Sequence, residues 1–156
     1  MRRSSTRKTT IVADACAALE KIAPTALAQD WDNVGLLAGD LQAPVRRVLL
    51  TIDLTGPVVD EAIRKKIDLI VSYHPPIFKP IRSLRAPGCG MESLVFRCIH
   101  EGVAIYSPHT ALDAAAGGTN DVIADFCGVS QTEPLEYVDA TVEDQCKFVV
   151  FVPSER

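Results

Sequence analysis

Short apolar runs alternate with segments of helical periodicity along the first 128 residues. Apolar residues spaced three and four apart predict four helices, near residues 11–22, from 56 onward, at 91–101 and at 119–127, with Thr10 as a candidate cap of the first. Strands alternating with helices are typical of right-handed βαβ units. The sequence therefore predicts an α/β fold with a mainly parallel sheet flanked by helices. The runs that predict buried strands are RRVLLTID (46–53), DLIVS (68–72) and VAIYS (103–107).

The pattern also divides the chain into three parts. Residues 1–10 are basic and lack an apolar segment, so we expect a disordered tail, with an organelle-targeting peptide as the alternative. Residues 11–128 form the predicted α/β lobe, in which 29–40 is expected to be a loop with a short extended piece. Residues 129–156 are predicted to be a polar linker followed by a last strand, KFVVFV (147–152). Because nothing after that strand would cover it, we expect the chain to be incomplete as given and to associate rather than stay monomeric.

Composition narrows the class of protein further. Hydrophobic residues make up 47% and charged residues 23% of the 156, which is ordinary for a globular domain. A net charge of −4 and few aromatic residues argue against nucleic-acid binding. No apolar run is long enough to span a membrane, and five cysteines without a C-x-x-C pair suggest reduced thiols. We expect a cytoplasmic protein.

Candidate chemistry follows each predicted strand. Asp53 ends the first strand, Tyr73 and His74 follow the second, and His109 and Asp113 follow the third. In open α/β sheets, ligands bind beyond the carboxyl ends of the strands, so these side chains are expected at one edge. Imidazole and carboxylate together suit a divalent transition metal, and the proline after His74 restricts its backbone.

Each of these residues also has a purely structural interpretation. His74 could be a loop residue with one hydrogen bond, and Asp53 could cap the next helix. The WDN segment at 31–33 could form a cap or turn, with Trp31 in the core, and His100 fits an exposed helix end.

Four ordered motifs resemble the NIF-three-like family, whose bacterial members are often labelled GTP cyclohydrolase I type 2 homologues. The resemblance runs from about the first helix to about residue 127, with the motifs in the family's order and spacing. They are WDNVGLL (31–37), TIDLT (51–55), DLIVSYHPPIF (68–78) and IYSPHTALDAA (105–115), the last followed by TND (119–121).

The resemblance implies two similar α/β lobes, a two-metal site between them and assembly into ring-like homo-oligomers. By position, His74 and Asp113 match metal-ligand residues, and Asp53 and His109 match residues beside the site. The metal would be zinc, iron, manganese or a similar divalent ion.

Two departures from the family pattern qualify this expectation. Tyr73 stands where many bacterial members have a second histidine, and a neutral phenol is a poor ligand. The family's remaining ligands, a His and a Glu, belong to a carboxy-terminal lobe absent from this sequence. KFVVFV resembles the first strand of a domain that many members insert between the lobes, so the resemblance implies that residues 129–156 are a linker and the first strand of a truncated insert domain. The resemblance thus implies a divalent-metal-binding protein of hydrolase type that binds metal weakly by itself. The alternative is a non-catalytic interaction or regulatory protein with a protein partner.

Overall fold

The computed structural model of the protein describes residues 9–88 and 90–133, which form an α/β fold. The predicted strand at 147–152, the linker beyond residue 133 and most of the basic tail lie outside the described residues. None of the helices in the described part is long and apolar enough to cross a membrane. In chain order the elements are α1 (Val12–Ile22), a 3₁₀ turn (Thr25–Leu27), β1 (Gly35–Ala38), β2 (Val48–Thr51), α2 (Gly56–Lys65), β3 (Leu69–Ser72), α3 (Met91–His100), β4 (Ala104–Ser107), α4 (His109–Ala114) and α5 (Thr119–Phe126).

The four strands form one sheet in the order β1-β4-β3-β2. Strands β2, β3 and β4 are parallel, and α2 and α3 make the two crossovers between them. Strand β1 is antiparallel to β4, with Gly35 opposite Ser107. The predicted mainly parallel sheet is confirmed, and its three parallel strands end at the same edge.

Helices cover both faces of the two central strands, which explains why β3 and β4 are largely apolar on both faces. On one face, Ile70 and Ile105 pack against Val59 of α2 and Val95 of α3. On the other face, Leu69, Val71, Ala104 and Tyr106 pack against Val12 of α1. All four residues of both strands are buried.

Several element boundaries differ from the predictions. Helix α1 begins at Val12, since Ile11 is extended and is the N-cap, and its N–H donates to the Asp14 carboxylate. Thr10 lies before the cap, and its carbonyl accepts a hydrogen bond from the Val45 N–H. The first predicted strand stops at Thr51, where pairing with β3 ends. Within the predicted 29–40 loop, the extended piece is β1, a true strand of the sheet.

The backbone just after β1 lies so close to β4 that the position requires glycine. Gly39, just after β1, has a φ of +127°, and a Cβ there would lie 2.6 Å from the Ala104 Cβ and 2.8 Å from its Cα. Both atoms belong to a buried strand and cannot move aside.

We predict that Gly39→Ala lowers the free energy of unfolding by more than about 2 kcal/mol, since it adds backbone strain to a steric clash. Gly56→Ala is the matched control, because Gly56 has no atom within 4 Å of an added Cβ. Urea denaturation followed by circular dichroism measures both. Equal stability of the two variants would contradict the close-packing argument.

Candidate metal centre

The carboxyl ends of β2, β3 and β4 bring the predicted site residues together. Ring centroids lie 4.9 Å apart for Tyr73 and His74, 5.5 Å for Tyr73 and His109, and 5.6 Å for the two histidines. Asp53 and Asp113 each contact one of these rings, as described below. Side chains from the segments that follow three strands therefore converge at one edge of the sheet, as expected from their positions after the strands.

Two buried serines hold the backbone of this edge. Ser72 at the end of β3 donates its hydroxyl to the His74 carbonyl at 2.9 Å, and Ser107 at the end of β4 donates to the Tyr73 carbonyl at 2.9 Å. The His74 N–H continues the ladder with a 3.0 Å bond to the Ile52 carbonyl. Sequence reasoning missed both serines, although a polar residue closing an apolar strand is a usable signal.

Each histidine of the site pairs its Nδ1 with a carboxylate. His74 Nδ1 lies 2.8 Å from Asp53 Oδ1, and His109 Nδ1 lies 2.9 Å from Asp32 Oδ1. Asp53 therefore binds His74 instead of capping α2, whose N-cap is Thr55. Such a partner fixes the ring orientation and leaves Nε2 for a ligand, the arrangement common to metal-binding histidines.

The Asp32 carboxylate also caps the N-terminus of helix α4, a helix that the sequence pattern did not predict. This buried carboxylate accepts the Thr110 N–H at 3.1 Å and a short bond from the Thr110 hydroxyl. Asp32 does act as a cap, as one interpretation proposed, but of a helix that begins 77 residues later. His109 is held at a φ of +26°, a sparsely populated conformation that tends to occur at functional sites.

The charge of Asp32 is stabilised by its donors. Burial alone would raise the pKa of Asp32, but hydrogen bonds from Thr110, His109 and Asn33 outweigh burial and hold the pKa below its ordinary value of 3.8. The carboxylate is therefore ionised at neutral pH, which favours the Nδ1-protonated form of the neutral His109 ring.

Tyr73 and Asp113 form a short hydrogen bond. The phenol donates to Asp113 Oδ1 at 2.6 Å. Burial, with the bond to the Asp113 carboxylate, raises the pKa of Tyr73 to about 12. Tyr73 is therefore a neutral hydrogen-bond donor at neutral pH in this structure.

The interpretation of Trp31 as a core residue is wrong. Its side chain is 60% exposed, and it meets Phe78 and His109 edge to face, with centroids 6.0 and 6.3 Å apart. Asn33 ties this loop to the loop after β3 by donating Nδ2 to the Ile77 carbonyl at 2.5 Å. Trp31 thus borders the site instead of filling the core.

The donors at this edge suit a divalent transition metal in kind but fall short in number. Two imidazoles with carboxylate partners and one further carboxylate are typical ligands. However, within residues 9–88 and 90–133 no group of three His, Cys, Asp or Glu side chains is arranged to hold an ion. The ligand roles of His74 and Asp113 therefore stay predictions.

The fold and site together define an α/β protein whose His and Asp side chains meet at the carboxyl edge of a mainly parallel sheet. The family model described as Duf34/NIF3 (NGG1p interacting factor 3) matches residues 10–155. The chain belongs to this family.

Known relatives align with most of this chain, but the aligned part is less than half of their own length. The "NIF3-like protein 1" of Drosophila melanogaster is 45% identical over 119 residues, which is 76% of this chain and 40% of that protein. The "GTP cyclohydrolase 1 type 2 homolog" of Bacillus subtilis is 38% identical over 138 residues, covering 87% and 36%. A Bacillus cereus protein related to NIF3 superposes with a TM-score of 0.75 at 36% identity, over 81% of this chain and 35% of that structure. The chain thus spans less than half the length of these relatives.

We predict that Asp32→Asn lowers the free energy of unfolding by about 1–3 kcal/mol at pH 7, because it replaces a buried anion that accepts several hydrogen bonds. Asp30→Asn, an exposed change of the same charge two residues earlier, should be near neutral. Urea denaturation measures both.

The pH dependence of the stability difference between wild type and Asp32→Asn tests the role of the Asp32 carboxylate independently. Because folding lowers the pKa of Asp32, its stabilisation is present above the unfolded pKa of 3.8 and is lost as the pH falls through the folded value. The gap between wild type and Asp32→Asn should therefore shrink below pH 3.8. A gap that is constant from pH 7 to pH 3 would contradict the role of the ionised carboxylate.

Proposed function

We propose that this chain is a divalent-metal-binding protein of hydrolase type. The observation that supports this most directly is the pairing of both site histidines through Nδ1 to carboxylates, which leaves the Nε2 atom of each ring as a potential ligand. His74 and Asp113 would hold the ion, with His109 as the next donor at the same edge.

The chemistry of such a site is hydrolytic. A bound divalent ion would lower the pKa of a water molecule and polarise an ester, amide or phosphate. The chain's own residues would orient the donors: Asp53 and Asp32 hold the two imidazoles, and Tyr73 holds Asp113. The name of the Bacillus subtilis relative, GTP cyclohydrolase 1 type 2 homolog, supports a hydrolytic reaction.

We predict that His74→Ala abolishes binding of Mn²⁺, whereas His100→Ala leaves it unchanged. The chain has three histidines, and His100 stacks on Phe96 at the end of α3 instead of lying at the site. Mn²⁺ is the better probe because it avoids thiols such as the exposed Cys127. Free Mn²⁺ measured by electron paramagnetic resonance gives the bound amount, which should be weakly held and lost on dialysis. Binding that is equally affected by both substitutions, or by neither, would contradict this assignment.

A second candidate function, association with another copy of the chain, draws on a different observation. Val48 and Leu50 are 48% and 75% exposed on one face of β2, and Ile52, just after the strand, is 61% exposed and continues the alternation. Helix α1 covers β3 and β4 on that face, and β2 pairs only with β3 in the described part of the sheet. An edge strand with an exposed apolar face favours pairing with the same strand of a second copy, related by a two-fold axis.

We predict that Leu50→Gln shifts the chain toward monomer, raising the dissociation constant of the oligomer at least about tenfold, an effect expected from losing one central apolar contact. Leu41→Gln is the control, since Leu41 is an exposed leucine outside the sheet. Sedimentation velocity over a concentration series measures both. A wild-type chain that stays monomeric at the highest concentration would refute self-association.

A further inference from the structure

Two exposed aromatic rings border the carboxyl edge of the sheet. Trp31 is 60% exposed and Phe78 is 48% exposed, and their ring centroids lie 6.0 Å apart. Trp31 also meets the ring of His109, with centroids 6.3 Å apart. The aromatic pair therefore extends the site from its polar side chains onto an apolar surface that solvent can reach.

The backbone on which the two rings sit is fixed by the residues next to them. Asp32, which follows Trp31, is fully buried and bound to the start of α4. Asn33 donates to the Ile77 carbonyl, directly before Phe78, and so ties the two loops together. An aromatic side chain on a fixed backbone loses little conformational entropy when a ligand contacts it. The exposed pair is thus a preorganised surface.

The polar groups beside the pair indicate what this surface would bind. His74 and His109 use Nδ1 for a carboxylate, and the Nε2 of each ring has no hydrogen bond to another described residue. Ligand sites combine an aromatic wall with a few polar groups that fix the orientation of the ligand. Aromatic side chains favour planar rings over aliphatic groups of the same size, and imidazole nitrogens favour polar atoms at the edge of such a ring.

We propose that Trp31 and Phe78 bind a planar heteroaromatic ring of the substrate at this site. The inference rests on the proposed hydrolytic function and deepens it, since it names the substrate class of the same site. The ring lies against the two aromatic side chains, and the polar atoms at its edge face the imidazole of His109.

Fluorescence tests this directly, because Trp31 is the single tryptophan of the chain. Titration of the full chain with adenosine, the planar-ring probe, should change Trp31 emission saturably, with a dissociation constant in the millimolar range that suits one stacked ring. Ribose, which lacks the ring, should have no effect. Phe78→Leu should raise the dissociation constant about fivefold, since it keeps an apolar side chain but removes an aromatic contact. Phe96→Leu is the matched control, because Phe96 stacks on His100 at the end of α3.

Circular dichroism confirms that each variant is folded. A response that rises linearly with adenosine, a Phe78→Leu chain that responds like wild type, or no response at all would overturn the inference. Trp31 emission that changes with protein concentration and not with adenosine would assign the surface to an interface between chains, and would also overturn it.

Mn²⁺ binding, read by electron paramagnetic resonance on the same samples, separates this inference from the function on which it rests. A chain that binds Mn²⁺ but not adenosine would refute the ring site alone. A chain that binds adenosine saturably but no Mn²⁺ would refute the metal-dependent function, while the ring-binding surface would stand.

Discussion

The buried carboxylate of Asp32 is the constraint on which the candidate site depends. It joins the loop before β1 to the start of α4, so two segments far apart in sequence share one charged group. Without it, α4 would have no side-chain cap, because Pro108 at its N-cap position offers none. A six-residue helix is too short to be stable through its own hydrogen bonds. The orientation of His109 and the helix that carries Asp113 therefore both rest on this contact.

The parallel sheet supplies the rest of the geometry. Parallel strands end at one edge, so the residues following β3 and β4 are neighbours although about 35 positions separate them. The buried hydroxyls of Ser72 and Ser107 then fix the carbonyls of His74 and Tyr73. The same two residues therefore close the core strands and hold the backbone of the site. A polar change there would disturb stability and site geometry together.

The sequence predicted those features that depend on local pattern or on strand order. Buried strands β3 and β4 are continuous apolar runs, and the position of Tyr73, His74, His109 and Asp113 after them was enough to place these side chains at one edge. Features that depend on long-range contacts escaped prediction. Helix α4 has no local start signal because its cap lies 77 residues away.

The incorrect interpretation of Trp31 as a core residue has a related cause. A large apolar residue in a short loop is expected to be buried, and no local pattern shows that the loop runs along the rim of a polar edge. Asn33 holds the loop there through a single side-chain bond to the Ile77 carbonyl, a contact over 44 positions. Exposure of this ring thus follows from tertiary structure alone.

The two histidine–carboxylate pairs differ in burial, and this difference bears on the metal binding proposed above. Asp32 is fully buried and His109 is 17% exposed, whereas Asp53 and His74 are 61% and 50% exposed. An exposed ion pair is screened by water and contributes little to holding a side chain in place. His109 is therefore preorganised by the fold, while His74 keeps much of its rotational freedom until a ligand orders it. Binding an ion through His74 must offset that loss of conformational entropy, which favours weak binding unless further donors or packing restrain the ring. A contact that buries the Asp53–His74 pair would restrain the ring and lower this entropy cost at the proposed metal site without adding a ligand.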